Sequence, residues 1–431
     1  MLFRWPPSLT VLVLLIACGR APAPSPTGPV TIEYWAGWTG FEGEAITAVV
    51  DEFNKTQTQV HVRLLVVSQV EEKLLIATAG GDPPDLASLY SRQIPQYGHA
   101  GALTDLETFI EHDKLDLGIY TRAFLDLGQL GGRTLALPQT GITLALHWNK
   151  AMFLRAGLNP ETPPKTIAEL DSFAETLTRH DPEGRILQAG FMPTEPGWWN
   201  EAWPYFFGGR IWDGHGHLTL DEPSVARAYG WVQSYARRYD AMRLNNFRSG
   251  FGNFSSPQNA FLSGKVAMIL QGVWMANFIQ NYAPRMSWGA SPFPVENPAL
   301  GTVTKVESDM LIIPKGARHP EEAWLFMKYM ARPGILEKFN LLQKKFPPLR
   351  VVQKSFIAAH PNPYIKVFIE LAESRVFRDP PLDLWSELQD HLSDSFERIW
   401  LLQTQAADEL QTLQKTMQPK LDRELRRRAD N

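Results

Sequence analysis

The segment Val30-Thr31-Ile32-Glu33-Tyr34-Trp35 alternates apolar and polar positions as a half-buried strand does, and the alternation breaks at Gly37 and Gly40. Ala45, Ile46, Val49, Val50 and Phe53 then recur at the three- and four-residue spacing of a helix with one buried face. Residues 60–67 predict a second strand and residues 70–78 a helix, which Gly80-Gly81-Asp82-Pro83-Pro84 stops before a short strand at 85–90. Strand alternating with helix predicts an α/β lobe with a largely parallel sheet.

A similar alternation resumes further along. Residues 134–139 and 144–148 predict strands and 151–156 a helix, and Thr166-Ile167-Ala168-Glu169 is a capping box opening a helix to about Arg179. Another helix follows Asp221, over about 223–239. Gly264-Lys265-Val266-Ala267-Met268-Ile269-Leu270-Gln271-Gly272 predicts an apolar strand ending in a glycine turn, and Met310-Leu311-Ile312-Ile313-Pro314 predicts another. His319-Pro320-Glu321-Glu322 opens a helix through Met330, and residues 382–427 are mostly helical in pattern. About 400 residues exceed one ordinary hydrophobic core, so two lobes are expected.

Ahead of all this lies an apolar run, residues 9–17, too short to span a bilayer but of the length of a secretory signal core. It ends in Leu15-Ile16-Ala17-Cys18, which resembles the lipobox of bacterial lipoproteins, where the leader is cut before a cysteine that becomes acylated. The competing reading is an ordinary signal peptide with a passenger thiol. The resemblance makes 1–17 a signal peptide, Cys18 the lipidation site and the Pro-rich 18–29 an extended tether. Cys18 is the single cysteine, so the mature chain has no thiol left for a disulfide or thiolate chemistry.

Charge narrows the partners. The formal net charge of −4 moves to about −5 without Arg4, a balance that does not favour polyanions. The one dense basic stretch, Arg423, Arg426, Arg427 and Arg428, is interleaved with acids and reads as a solvated helix end, so no nucleic acid is expected. No phosphate-cradling Gly-rich Lys-Ser/Thr motif occurs. His215 and His217 lie in an Asp-Gly/His-Gly turn without further close ligands, and no metal is expected there. The fourteen tryptophans are unevenly spread: Trp35 and Trp38, then Trp198, Trp199 and Trp203, then Trp274 in a strand-to-helix turn. Flat apolar rings with a polar edge suit ligands that have both apolar and hydroxylated faces.

Several segments, in order and spacing, resemble the extracellular solute-binding proteins of the carbohydrate class, the maltose- and oligosaccharide-binding receptors of ATP-driven importers. They are Ile32-Glu33-Tyr34-Trp35 with Glu52-Phe53-Asn54-Lys55; Gly81-Asp82-Pro83-Pro84-Asp85; Leu103-Thr104-Asp105-Leu106; and Trp148-Asn149-Lys150. Phe261-Leu262-Ser263-Gly264-Lys265-Val266-Ala267-Met268 and Ile313-Pro314-Lys315-Gly316 with Pro320-Glu321-Glu322-Ala323-Trp324 complete the set. The resemblance implies an α/β, two-lobed periplasmic-binding-protein fold of type II, maltose-binding-protein-like, with a hinge between the lobes and ligand in the cleft. Residues 30–138 and 305–345 would form lobe 1, and 139–304 and 346–431 lobe 2. It also implies a saccharide ligand, no cofactor, ABC permease subunits with a separate cytoplasmic ATPase as partners, a monomer, and a position outside the cytoplasm, anchored through the lipid on Cys18.

Sugar recognition needs an aromatic face for the C–H side of a ring and carboxylates or amides for its hydroxyls. Trp35 and Trp38, after the first strand, are candidates for the first role, with lobe core as the alternative. Thr39 and Glu42 are candidate hydroxyl partners, although a glutamate there also suits the helix dipole. Asp85 is expected to line the cleft or cap a turn, with Ser88 and Tyr90 nearby, and Gln139 to reach in from the first crossover. Adjacent Trp198 and Trp199 must point different ways, so at most one is core and the other needs a partner. Trp274 matches the family's stacking aromatic. Glu307 and Asp309, in the second crossover, are carboxylates for paired hydroxyls or for salt bridges, and Arg350 falls where the family returns to the cleft.

Two other readings compete. An anionic polyol such as a glycerol phosphate ester would need converging Arg or Lys donors, whereas the candidate segments are richer in Trp, Asp, Glu and Gln. An exported glycoside hydrolase would need two carboxylates in catalytic roles, and none lies in a recognisable catalytic motif.

Overall fold

A computed structural model describes residues 28–254 and 256–429. The leader and Cys18, with nearly all of the tether, lie outside the described residues. Two sheets organise the chain. The first has the strand order Val60–Val66, Val30–Ala36, Leu86–Tyr90, Asp309–Ile312, Leu137–Pro138. Its first three strands are parallel, each separated from the next by a helix, Gly40–Thr56 or Val70–Ala79. Ala45, Ile46, Val49, Val50 and Phe53, the apolar stripe read from the sequence, are the buried face of helix Gly40–Thr56.

Asp309–Ile312 runs antiparallel to both its neighbours, Leu86–Tyr90 and Leu137–Pro138, so the sheet is mixed rather than largely parallel. The reason is topological. A strand that leaves for the second lobe and one that returns from it run in opposite senses, so only one of them can follow any given neighbour. The second sheet is mixed as well. Its backbone is Arg375–Phe377, Val303–Glu307, Ile142–Asn149, Val266–Gly272, Ile186–Phe191, Arg179–His180, with Trp288–Ser291 also paired to Ile142–Asn149. Ile142–Asn149 is buried along its whole length, as a central strand covered on both faces must be.

Each sheet has its own core. Ile32, Tyr34, Phe53 and Leu86 pack with Trp324, Phe326 and Phe339 from helices Pro320–Met330 and Pro333–Gln343. In the second lobe, Leu144, Phe191, Trp203, Trp231 and Leu270 pack with Leu388, Ile399 and Leu410 from the C-terminal helices Trp385–Trp400 and Ala406–Ala429. The predicted capping box is formed, Thr166 Oγ1 accepting from the Glu169 amide while the Glu169 carboxylate takes the Thr166 amide. The expected strand at 134–139 is broken into Arg133–Thr134 and Leu137–Pro138, since the amides of Leu135 and Ala136 between them both turn to Gly128 O instead of a neighbouring strand.

The chain passes between the sheets at 139–141, again at Ser308, and a third time after helix Pro333–Gln343 on its way to strand Arg375–Phe377. These crossings are tied together. Gln139 N donates to Asp309 O, Ser308 Oγ donates to Thr140 O, Asp309 N donates to Thr140 Oγ1, and Gly141 bridges Phe346. A cluster of Leu89, Ala145, Val273, Phe346, Phe356 and Phe368 fills the joint. Arg428, on the last helix, pairs with Asp383 at 3.3 Å and with Glu424, and reaches His99 of the first lobe at 3.0 Å.

Candidate functional site

The registers decide which strand ends meet. Tyr90, last in its strand, pairs with Asp309, first after the second crossing, and Gly272 pairs with Leu144, two residues beyond the start of the strand that leaves the first crossing. The carboxyl ends of the parallel strands in the first lobe and the Gly272–Trp274 turn of the second therefore converge on the crossings. Ligands of open α/β sheets bind at such strand ends.

Aromatic rings come from the second lobe. Trp274 opens helix Met275–Tyr282 and lies across Gly272, where an added Cβ would meet the ring at 2.4 Å. Trp199 sits 6.0 Å from it, and Trp198 5.6 Å from Trp199 and 4.4 Å from Phe254. The adjacent tryptophans do point different ways: Trp199 is packed into the core of the second lobe, and Trp198 is 49 % exposed. In the neighbouring backbone, Gln271, Thr194 and Asn200 carry buried polar atoms with no protein partner, and across the crossing so does Trp35 Nε1.

Charged groups come mostly from the first lobe and the crossings. Lys345 is buried and reaches Glu42 at 2.9 Å and Asp309 at 3.0 Å, while Thr140 Oγ1 donates to Asp309 at 2.7 Å. Burial alone would push this ammonium down, but Asp309 and then Glu42 outweigh it and hold the lysine above its ordinary range. Tyr90, 43 % exposed, has Arg92 over its ring at 5.0 Å, and the charges of Asp309, Lys345 and Glu42 all bear on its hydroxyl. On the other side of the crossing Lys305 binds Glu201 at 2.8 Å, Asp379 at 3.0 Å and Glu307 at 3.2 Å. Burial would lower this lysine too, and the three carboxylates raise it well above the usual value. A cavity of about 30 Å³ between the lobes is lined by Ser91, Arg92, Asp126, Val306 and Asp379 and has room for a water but not for a sugar ring.

Trp198, Trp199 and Trp274 thus form one aromatic set, and Glu42 and Asp309 are joined through Lys345. Glu307 belongs to the Lys305 group. Gln139 is buried, its Oε1 accepting from Ser88 Oγ at 2.9 Å and its Nε2 facing the Tyr34 hydroxyl at 3.4 Å. Trp35 is half-buried, packed against the joint cluster. Trp38 is core of the first lobe, 5.7 Å from Phe339, while Thr39 is exposed at the residue before helix Gly40–Thr56, its side chain making no capping hydrogen bond. Asp85 stands at the opposite end of its strand from Tyr90. Its two carboxylate oxygens take the amides of Glu33 and His319, the anchoring role. Arg350 is exposed, its amide on Ile119 O of the first lobe. The amides of His215, Gly216 and His217 all donate to Asp213 Oδ1, which accounts for that turn, and among the described residues no group of three or more metal-ligating side chains is assembled.

Lys345, Lys305, Lys344 and Arg92 carry no sequence signal that singles them out. Each is brought to the crossings by tertiary folding, and Lys345 sits in an irregular stretch after the helix end at Gln343.

A family model described as bacterial extracellular solute-binding protein matches residues 37–336, which include both sheets' central strands and the first two crossings. The chain belongs to that family. Solute-binding proteins of this family are binding proteins rather than enzymes, and they work outside the cytoplasm. Among the described residues no helix is long and apolar enough to cross a membrane. This solute-binding protein is 28 % identical to CpMnBP1, solved with mannotriose bound, over 90 % of this chain and 99 % of that one, with a TM-score of 0.77. UgpB from Mycobacterium tuberculosis in complex with glycerophosphocholine is 22 % identical, covers 93 % of this chain and all of its own, and has a TM-score of 0.74. The multiple sugar-binding protein of Streptococcus mutans is 22 % identical over 342 residues, 76 % of this chain and 77 % of that one. The fold is the two-lobed α/β fold of the maltose-binding type.

Proposed function

We propose that the protein is an extracytoplasmic receptor that binds a sugar or oligosaccharide between its lobes and delivers it to an ABC permease. The observation that carries this is the aromatic set Trp198, Trp199 and Trp274, brought to the crossings beside unpartnered amide and hydroxyl groups and opposite the Glu42–Lys345–Asp309 chain. Rings supply the C–H face of a pyranose, and partnered carboxylates with fixed orientation accept from its hydroxyls. Trp35, Glu42, Tyr90, Gln139, Trp198, Trp199, Trp274 and Asp309 are the residues proposed to frame the ligand. Relatives solved with mannotriose and named for multiple sugars support the same class.

A glycerol phosphate ester is the second reading, favoured by the exposed Arg92 over Tyr90 and by the likeness to UgpB solved with glycerophosphocholine. Against it, Lys345 and Lys305 are already neutralised by two and three carboxylates, and a phosphate calls for several converging donors. No reaction step is assigned, because each of the carboxylates at the crossings is held by a lysine.

The lobes are proposed to divide at the crossings, with 30–138 and 308–345 in one and 139–307 and 346–431 in the other; the expected boundary at 305 moves because strand Val303–Glu307 belongs to the second sheet. Binding to both at once would favour a closed form. Signal cleavage before Cys18 with acylation of its thiol would leave a monomeric receptor tethered beside its permease and a separate cytoplasmic ATPase. Calorimetric titration with di- and oligosaccharides, and with glycerophosphocholine as the competing probe, tests the assignment. Saccharide binding supports it, and binding of the phosphodiester alone overturns it. For the anchor, mass spectrometry of the membrane-extracted protein should find a diacylglyceryl group on Cys18, and Cys18→Ala should release the protein into the soluble fraction.

A further inference from the structure

Helix Pro333–Gln343, in the core of the first lobe, ends in a left-handed turn. The carbonyl of Asn340 takes the Lys345 amide and that of Leu341 the Lys344 amide, a closure in which Lys344 itself adopts φ 56° and ψ 32°. Glycine enters that conformation without strain, whereas a residue with a Cβ does so at a cost. Lysine therefore stands where the backbone favours another residue, and such a departure points to a role for its side chain. That side chain leaves its own lobe. The Lys344 ammonium donates to Asn277 Oδ1 and to Gln280 Oε1, at 2.9 Å each, on helix Met275–Tyr282 of the second lobe. Its neighbour Lys345 is held by Glu42 and Asp309, but among the described residues no carboxylate pairs with Lys344, and burial lowers its pKa unopposed.

An ammonium can only donate, so it selects the oxygen of each amide and fixes which way both point. Asn277 is 1 % exposed, its side-chain oxygen also takes Asn281 Nδ2 at 3.3 Å, and its backbone amide donates to Trp274 O at 2.9 Å. The lysine thus grips the turn of helix that Trp274 opens, on the face that Trp274, Asn277 and Asn281 share by their spacing. Just before that turn, Val273 packs in the same apolar cluster as Phe346. Two attachments, Val273 in the joint and Asn277 with Gln280 on Lys344, set the direction of the helix. We propose that Lys344 is a positioning residue for Trp274, reaching from the first lobe to hold the ring at the angle at which a ligand between the lobes meets it. The lysine does not touch the ligand; it acts through the helix and the ring. This rests on the reading that a saccharide is bound beside Trp274, and adds the residue of the opposite lobe that orients the ring.

The test compares the full chain with its Lys344→Gly and Lys344→Arg variants. Glycine relieves the backbone at residue 344 and removes the ammonium. The urea midpoint should therefore hold or rise, while amide deuterium exchange over residues 275–282, measured without saccharide, quickens by about fivefold. Calorimetry with mannobiose and mannotriose should show binding weakened by about fivefold in Lys344→Gly and near-native in Lys344→Arg, whose guanidinium can serve both amide oxygens. In a Trp274→Ala background the glycine substitution should cause no further loss, because the ring it acts through is gone. An added loss in that background would make Lys344 a ligand contact or a lobe clamp and overturn the positioning role. A lowered urea midpoint with faster exchange along the whole chain would make it a structural residue, which also overturns the proposal. So would unchanged exchange over 275–282, whether or not a saccharide binds. Absence of saccharide binding, with exchange quickened over that helix alone, removes the saccharide reading and still supports the tie between Lys344 and the helix.

Discussion

Trp274 is the residue on which the proposed site turns, because it lies across the glycine turn at the crossing and belongs to the aromatic set with Trp198 and Trp199. Trp274→Ala should weaken saccharide binding about tenfold, equivalent to ~1.4 kcal/mol, and lower the urea midpoint as well, because the ring packs against the second-lobe core and the joint cluster; Trp274→Phe should keep most of both. Unchanged affinity would remove the ring from the site. Lys345 is a different case, since it neutralises the buried Asp309. Lys345→Met should cost about 3–5 kcal/mol of stability by leaving a buried carboxylate unpaired, and adding Asp309→Asn should recover part of the loss. Two histidines make the fold acid-sensitive. Burial holds His147 down to about 3 and His360 to about 4 from an ordinary 6.5, the hydrogen bonds each makes to backbone only partly offsetting it. Both are therefore neutral in the folded chain and take up protons near pH 6.5 once unfolded. Their contribution to stability is fully present above about 6.5 and is lost as pH falls through the window toward 4 and then 3. Urea unfolding at a series of pH values should show this slope, and His147→Gln should flatten it.

At the scale of elements, much was legible where a period is long enough to read. Helices Gly40–Thr56 and Pro223–Tyr239, the capping box at Thr166 and the strand ending at Gly272 follow directly from apolar spacing, caps and breakers. Alternation along an extended segment also gave the opposite fates of Trp198 and Trp199. Periodicity carries no strand direction, however, which is why the mixed sheets came as a difference. Nor does it say which end of a strand faces the crossing, and Asp85 accordingly stands at the wrong end while Tyr90 stands at the right one. Lys345 and Lys305 were missed because a buried lysine and a surface lysine look alike until the carboxylates around them are placed. The Gly272 turn yields an element-scale prediction. Gly272→Ala puts a methyl group 2.4 Å from the Trp274 ring, so that the ring or the strand must shift. It should cost about 1–3 kcal/mol in stability and weaken saccharide binding at the same time, with a changed tryptophan emission reporting the displaced ring.

Over the whole molecule, two cores joined through short crossings leave relative lobe motion as the accessible large-scale change. Beside the apolar cluster at the joint, the contacts Lys344 to Asn277 and Gln280 at 2.9 Å each and Arg428 to His99 at 3.0 Å are polar and few-atom, the kind that can exchange for water on opening. A ligand that touches both lobes stabilises the folded, closed state by an amount that grows with the logarithm of its concentration over its dissociation constant, about 2.7 kcal/mol at a hundredfold excess. The most direct test is therefore thermal unfolding of the protein across a panel of mono-, di- and oligosaccharides with a glycerol phosphate ester alongside. The account predicts a concentration-dependent rise in Tm with at least one saccharide series. No shift with any saccharide, and a rise with the phosphate ester instead, would contradict it.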